Sequence, residues 1–178
     1  MHRLFVAIRP PTPIRAQLLG VMGGIVGARW QDDLQLHLTL RFIGEVDSHV
    51  ADDVAAALGA VRQTGFEIAL DGIGKFDRRG RTDALWAGVA PHDELEKLHK
   101  KVDQALVRLG LPPEGRAYLP HITLARMNAS AGRTDRFLES HAGLASAPFV
   151  FDHFLLFEST LGREGAIYEA IERYPLRV

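Results

Sequence analysis

The chain contains one short pattern twice, HLTL at residues 37–40 and HITL at residues 121–124. The two histidines are 84 positions apart (121 − 37), which is about half of the 178 residues. In a chain of this composition the pattern His-hydrophobic-Thr-hydrophobic is expected about 0.07 times by chance, so two copies indicate an internal repeat. A strand-like segment and an amphipathic helix precede each copy. We therefore expect the two halves of the chain to form similar α+β lobes around one shared cleft.

The rest of the chain alternates between strand-like and helix-like patterns of apolar residues. Apolar residues spaced as on one helix face predict helices at 13–26, 48–61, 94–109 and 134–140. Apolar runs and alternation predict strands at 4–8, 36–43, 66–70, 84–89, 121–125, 149–157 and 167–171, with 66–70 and 84–89 able to pair as a hairpin. A chain of this length favours one domain, and neither half buries enough surface to fold alone, so we predict a single domain over residues 1–178.

Composition narrows the function classes. The chain has no cysteine, which excludes disulfides, thiolate metal sites and cysteine nucleophiles and fits a cytoplasmic protein. No run of 18 apolar residues or cleavable leader is evident, so we expect neither membrane insertion nor export. The formal net charge is −1, so phosphate recognition must be local. Arg78, Arg79 and Arg81 form a basic patch, which is either a solvated turn or a binding site.

The motif residues suit phosphodiester chemistry. On an extended strand, residues i and i+2 share a face about 6.6 Å apart, so each histidine stands beside its threonine, His37 with Thr39 and His121 with Thr123. Opening a phosphodiester needs a base and an acid on opposite sides of phosphorus, and two imidazoles with pKa values of about 6.5 provide both. The hydroxyls can donate to the non-bridging oxygens. Two alternatives are solvent-facing edge strands and a zinc site, although the latter would lack the usual third ligand.

Two arginines are candidates to assist at the phosphate. Arg41 is four residues after His37, so strict alternation places both side chains on one face. Arg126 is five residues after His121 and points away unless the strand bends or ends there. Strand geometry alone therefore favours Arg41.

The two motifs occur with RW at 29–30, LHLTLRFIGEV at 36–46, LWAGV at 85–89 and LPHITLARM at 119–127. Together they closely resemble the 2H phosphoesterases, and within them the bacterial RNA 2′,3′-cyclic phosphodiesterases, historically called 2′-5′ RNA ligases. The resemblance spans nearly the whole chain. It implies an α+β fold of two pseudo-symmetric lobes, each an antiparallel sheet with helices packed outside, around a central groove that carries both motifs.

The resemblance also implies an activity and roles for residues. The activity is hydrolysis of a terminal RNA 2′,3′-cyclic phosphate to a 2′-phosphomonoester, without a metal or other cofactor. His37 would be the proton donor and His121 the proton acceptor. Arg126 would bind phosphate, which requires a strand distortion or end at Ala125. Arg41 stays a secondary candidate.

The motifs are compatible with more than one substrate. The expected partners are RNA ends or nucleotide cyclic phosphates, and we expect a monomer. Phe76 could stack on a base at the groove mouth, or could serve in the core or hairpin instead. The same machinery could act on 2′-5′-linked oligonucleotides or on small nucleotide cyclic phosphates. A non-catalytic RNA-end binder is a different class of answer, but a pure binder needs no pair of proton-transfer groups.

Overall fold

A computed structural model describes residues 1–177, which form nine strands and four helices. In chain order the elements are β1 (His2–Ile8), α1 (Thr12–Val21), β2 (Ala28–Trp30), β3 (Leu38–Val46), α2 (Ser48–Leu58), β4 (Phe66–Arg78), β5 (Arg81–Ala90), α3 (Asp93–Arg108), β6 (His121–Met127), α4 (Asp135–His141), β7 (Phe149–Phe151), β8 (His153–Gly162) and β9 (Gly165–Pro175). The four predicted helices and the β4–β5 hairpin are confirmed.

Several bounds differ from the sequence expectations, with α2 ending at Leu58 and both β4 and β9 longer than expected, and three further differences affect the arrangement of elements. Helix α1 ends at Val21 rather than at residue 26, because Gly23 and Gly24 adopt φ values of 120° and 81° that no regular helix contains. The strand expected over 149–157 is divided into β7 and β8. Strand β2 was not predicted, since three residues are too short to show a period.

The strands form one curled sheet in the order β7-β4-β5-β6-β3-β1-β8-β9, with β2 beside β6. The neighbouring strands along this order are antiparallel, as expected. The expectation that each half of the chain builds its own lobe is wrong, however. The closing strands β8 and β9 join β1 and β3, while the β4–β5 hairpin joins β6. Each lobe thus combines segments that are distant in the chain. In the lobe that carries the first motif, β8 pairs with the edge of β1 that β3 leaves unpaired.

The helices pack their apolar sides onto this sheet. In α3 the residues that share one face are buried, namely Leu95, Leu98, Val102, Ala105 and Leu106. The helix contacts β3 and also α2, which in turn lies against β1. The side chain of Asp47 accepts a hydrogen bond from the backbone N–H of Val50 and caps α2. No helix within residues 1–177 has the length and apolar composition required to cross a bilayer.

A β-bulge interrupts the alternation of β3. Val6 of β1 pairs with Arg41 and Ala7 pairs with Thr39, so Leu40 has no partner of its own. A bulge of this kind changes which face the following side chains occupy. Leu40 and Arg41 are consequently both buried.

The prediction that Arg41 shares a face with His37 is therefore wrong. The Arg41 guanidinium lies in the interior, where Nε donates to a carboxylate oxygen of Asp103 at 2.8 Å. Its two terminal nitrogens donate to the backbone carbonyls of Phe42 and Pro112. Arg41 thus anchors α3 and the segment after it to the sheet, and it is unavailable to a phosphate in the groove.

We expect Asp103→Ala to lower the free energy of unfolding by about 2–4 kcal/mol, because it leaves the buried Arg41 charge unpaired. Burial by itself would raise the pKa of Asp103, but the hydrogen bonds from Arg41 and from the Glu114 backbone N–H outweigh it and hold that pKa below its usual range. Urea denaturation measures the change. The control is Asp77→Ala, which removes an exposed ion pair to Lys75 and should cost under about 1 kcal/mol. Equal losses in both variants would contradict a structural role for the buried pair.

Candidate active site

The two motifs meet where β3 and β6 are hydrogen-bonded neighbours. Leu38 pairs with Ile122, and these are the second residues of the two motifs. Because antiparallel partners run in opposite directions, the histidine of each motif lies across from the threonine of the other. The two histidines therefore occupy a diagonal, and diagonal positions on a regular ladder are about 7–8 Å apart. Such a gap suits one phosphate group between two rings.

A groove opens beside this contact. Strands β3 and β6 share only one register position, beyond which β3 continues along β1 while β6 continues along β2 and β5. The divergence leaves a cavity of about 640 Å³. Its lining includes all the motif histidines and threonines together with two arginines, namely His37, Thr39, His121, Thr123, Arg3 and Arg126.

A second β-bulge directs Arg126 into the groove. On β5, Leu85 pairs with Ala125 and Trp86 pairs with Thr123, so Leu124 is left without a partner. Leu124 and Ala125 are both fully buried, and the next side chain returns to the groove face. The bulge supplies the distortion near Ala125 that a phosphate-binding role for Arg126 would require.

The two bulges lie at the same offset from their histidines, and this reveals a residue that sequence reasoning missed. In both strands the third and fourth residues after the histidine face the core, and the fifth faces the groove. The fifth residue is Arg126 in one lobe and Phe42 in the other. Phe42 is 44% exposed, with the guanidinium carbon of Arg3 5.1 Å from its ring centre. Superposing HLTLRF on HITLAR would have identified it.

His37 is held by hydrogen bonds on both ring nitrogens. Nδ1 lies 2.7 Å from the backbone carbonyl oxygen of Gln35, and a carbonyl can only accept, so Nδ1 carries the hydrogen of the neutral ring. Nε2 then accepts from the Thr39 hydroxyl at 3.1 Å. The rings of Phe5 and Tyr168 have their centres 4.9 and 5.2 Å from the imidazole. These contacts fix the tautomer and shield the ring from water.

His121 repeats this arrangement in the other lobe. Its Nδ1 donates to the carbonyl oxygen of Leu119 at 2.7 Å, two residues earlier as in the first motif, which leaves Nε2 with a free lone pair. Phe76 contacts the imidazole edge-on, with ring centres 4.9 Å apart, and Trp86 lies 5.9 Å away. A side chain on Gly74 would collide with the Trp86 indole, so the indole packs directly against the backbone of this glycine. Phe76 is thus half-buried against His121. Base stacking by Phe76 stays a prediction.

Burial and positive charge lower the pKa of both histidines. Burial lowers the pKa of His37 to about 4, the Gln35 carbonyl opposes this, and the positive charges of His121 and Arg126 add to it. Burial, followed by the charge of Arg126, also lowers the pKa of His121. Both imidazoles are therefore neutral at pH 7 in the free protein. An anionic ligand between them would favour protonation of one ring.

Comparison with known proteins places these features in context. The sequence model of the 2′-5′ RNA ligase superfamily matches residues 26–163. An RNA 2′,3′-cyclic phosphodiesterase of Aeropyrum pernix is 32% identical over 143 residues, or 79% of this chain and 81% of that protein. A crystal structure of a Thermus thermophilus protein has a TM-score of 0.84 at 28% identity and 98% coverage of both chains. The crystal structure of E. coli LigT complexed with 3′-AMP has a TM-score of 0.80 at 27% identity, with the same coverage.

We expect the His37 ring to titrate with a pKa of about 4 in the free protein, because its burial disfavours the charged form. Arg126→Gln should raise that pKa, since one positive neighbour is removed. Proton–carbon NMR of the imidazole between pH 3.5 and 8 measures both values. Arg133→Gln, at an exposed position outside the groove, serves as the matched control and should leave the titration unchanged. A wild-type value near 6.5 would show that the ring is not shielded.

Proposed function

The chain belongs to the 2′-5′ RNA ligase superfamily, and on this basis we propose that it hydrolyses the terminal 2′,3′-cyclic phosphate of RNA to a 2′-phosphomonoester. The observation that carries the proposal is the pairing of Leu38 with Ile122, which brings two histidines and two threonines to one cavity. The relative from Aeropyrum pernix bears the name of this activity.

In the proposed reaction, two proton transfers accompany one substitution at phosphorus. Nε2 of His121 accepts a proton from water, and the water oxygen attacks phosphorus opposite the 3′ oxygen. The bond between phosphorus and the 3′ oxygen breaks, and Nε2 of His37 donates a proton to that oxygen. The products are a 2′-phosphate and a 3′-hydroxyl. Exchange with solvent returns the proton to His37 and removes it from His121.

The charges of the groove support this sequence of events. The anionic phosphodiester counteracts the positive field of Arg126, so binding raises the histidine pKa values and lets one ring carry a proton. Protonation of the second histidine would be disfavoured, because the first imidazolium lies diagonally across from it. The pKa of His37 is the more strongly lowered of the two in the free protein, so its assignment as the proton donor follows from the family resemblance and not from the order of the pKa values. Arg126 and the threonine hydroxyls bind the non-bridging oxygens, where charge grows in the transition state.

The proposal also covers the metal requirement, the oligomeric state, the cellular location and the role of Phe76. The two histidines supply both proton transfers, so the reaction proceeds without a bound metal. Both motifs and Arg126 belong to the same chain, so the proposed reaction needs no residue of a second copy, and we propose a monomeric enzyme. Its RNA substrate supports a cytoplasmic location. Phe76 supports His121 through its edge-on contact and is the candidate to stack on a neighbouring base.

We expect the purified protein to open a nucleoside or oligonucleotide 2′,3′-cyclic phosphate in EDTA, with the 2′-phosphomonoester identified by phosphorus NMR. His37→Ala and His121→Ala should each abolish turnover, because each removes a proton carrier. Thr39→Val and Thr123→Val should lose about 10- to 1000-fold, since each removes one hydrogen bond in the transition state.

His49→Ala is the control for these variants, because that histidine is on the surface at 88% side-chain exposure. Full activity of both groove-histidine variants would reject the assignment. Products other than the 2′-phosphate, or cleavage only of 2′-5′-linked oligonucleotides, would keep the machinery but change the substrate. Tight binding of the RNA end without turnover would make the protein a binder.

A substrate with sulfur in place of the 3′ oxygen separates the two histidine roles. A thiolate leaves without prior protonation, so His37→Ala should retain near wild-type turnover of the 3′-thio cyclic phosphate. His121→Ala should stay inactive on the same substrate, because water activation is still needed. Rates of both variants on the oxygen and sulfur substrates give the comparison. Rescue of His121→Ala instead would reverse the assignment of donor and acceptor.

A further inference from the structure

Two arginines stand directly opposite each other on β2 and β6. Arg29 is the register partner of Arg126 in this antiparallel pair. Directly opposed residues have their Cβ atoms about 4.5–5.5 Å apart and share one face, where like charges destabilise the sheet. Trp30, the next residue of β2, turns to the other face and packs on Phe137 of α4 with ring centres 5.3 Å apart. The paired arginines are therefore unfavourable for the sheet by itself.

Neither arginine is neutralised by the fold. Within residues 1–177 the ion pairs of interior arginines join Arg9 and Arg15 to Asp33, and Arg41 to Asp103. The side chains of Arg29 and Arg126 take part in no ion pair of the described chain. Two exposed arginines on one sheet face without a carboxylate partner are an arrangement that an anion stabilises.

Both side chains line a cavity of about 210 Å³ that adjoins the catalytic groove. Arg126 lines both spaces, whereas Arg29 lines only the smaller one. A Cβ atom on Gly165, the first residue of β9, would lie 3.3 Å from Nη2 of Arg29, so the guanidinium extends towards this glycine at the end of the hairpin. Glu164 is the one carboxylate among the residues that line this cavity, and the three charges sum to +1 (two Arg and one Glu).

We propose that Arg29 and Arg126 form a second phosphate site, which binds the phosphate on the 5′ side of the nucleotide that bears the cyclic phosphate. The proposal rests on the proposed function, because it takes the cyclic phosphate to lie between the histidines. From that end of an RNA, the next anionic group is the 5′ phosphate of the same ribose. Arg126 stands between the two phosphates, and Arg29 contacts only the second. The preferred substrate class is therefore an RNA end or a 5′-phosphorylated nucleotide, rather than a nucleoside cyclic phosphate.

The test compares adenosine 2′,3′-cyclic phosphate carrying a 5′-hydroxyl with the same compound carrying a 5′-phosphate. Arg29→Ala should raise KM for the 5′-phosphorylated substrate about 10- to 100-fold, the loss expected for charge-assisted hydrogen bonds. KM for the 5′-hydroxyl substrate and kcat for both should stay within about twofold, since the reacting phosphate is not touched.

Two further variants control for the local charge. Glu164→Gln removes the opposing carboxylate and should lower KM for the 5′-phosphorylated substrate alone, more at low salt than at high salt. Arg163→Ala changes an exposed arginine of the same turn that lines neither cavity, and it should leave both substrates unaffected.

The outcomes separate this site from the proposed activity. An equal loss on both substrates in Arg29→Ala would mean that Arg29 acts on the reacting phosphate, and no loss on either would remove it from substrate binding. Either result overturns the second site. Calorimetric binding of adenosine 2′-phosphate and adenosine 2′,5′-bisphosphate makes the same comparison without turnover. If the wild-type protein hydrolysed neither substrate, the proposed function would fail while binding still decided the second site.

Discussion

The single register position that joins β3 to β6 is the constraint on which the rest of the molecule depends. Leu38 and Ile122 are both fully buried there, so the apolar faces of the two strands fix their alignment. A slip of one residue would turn the histidines and threonines into the core and the leucines into the groove. Hydrophobic burial therefore sets the geometry of the polar site. The same two strands then diverge, and their divergence is the groove.

The two bulges convert a near-symmetric frame into an asymmetric site. Both lobes share the offset of the bulge, the carbonyl that receives the histidine Nδ1–H and the neighbouring threonine. They differ in the side chains that the bulges redirect. In one lobe an arginine is carried into the core, where it is paired, and a phenylalanine reaches the groove. In the other lobe an alanine fills the core position, and Arg126 faces the substrate.

The charge of Arg126 links the geometry of the groove to the protonation of the two histidines. Arg126 places a positive charge beside two buried histidines that are neutral, so the free protein lacks the proton that the reaction needs. The anionic substrate supplies the field that stabilises this proton, and protonation is thereby coupled to binding. Arg126 is central because it is close to both histidines and lies opposite Arg29. One guanidinium thus influences the reacting centre and the adjoining cavity at once.

The sequence by itself determined the helices, most strands, the paired motif and the residue types that could move protons. These are properties of contiguous residues, since the periods of a helix and a strand appear within a few positions. Only the tertiary structure decided that Arg41 is buried, that Phe42 and Arg126 face the groove and that β8 and β9 pair beside β1. Bulges and strand partners depend on how distant segments align. No local period contains that information, because the pairing energy is realised only when both strands are present.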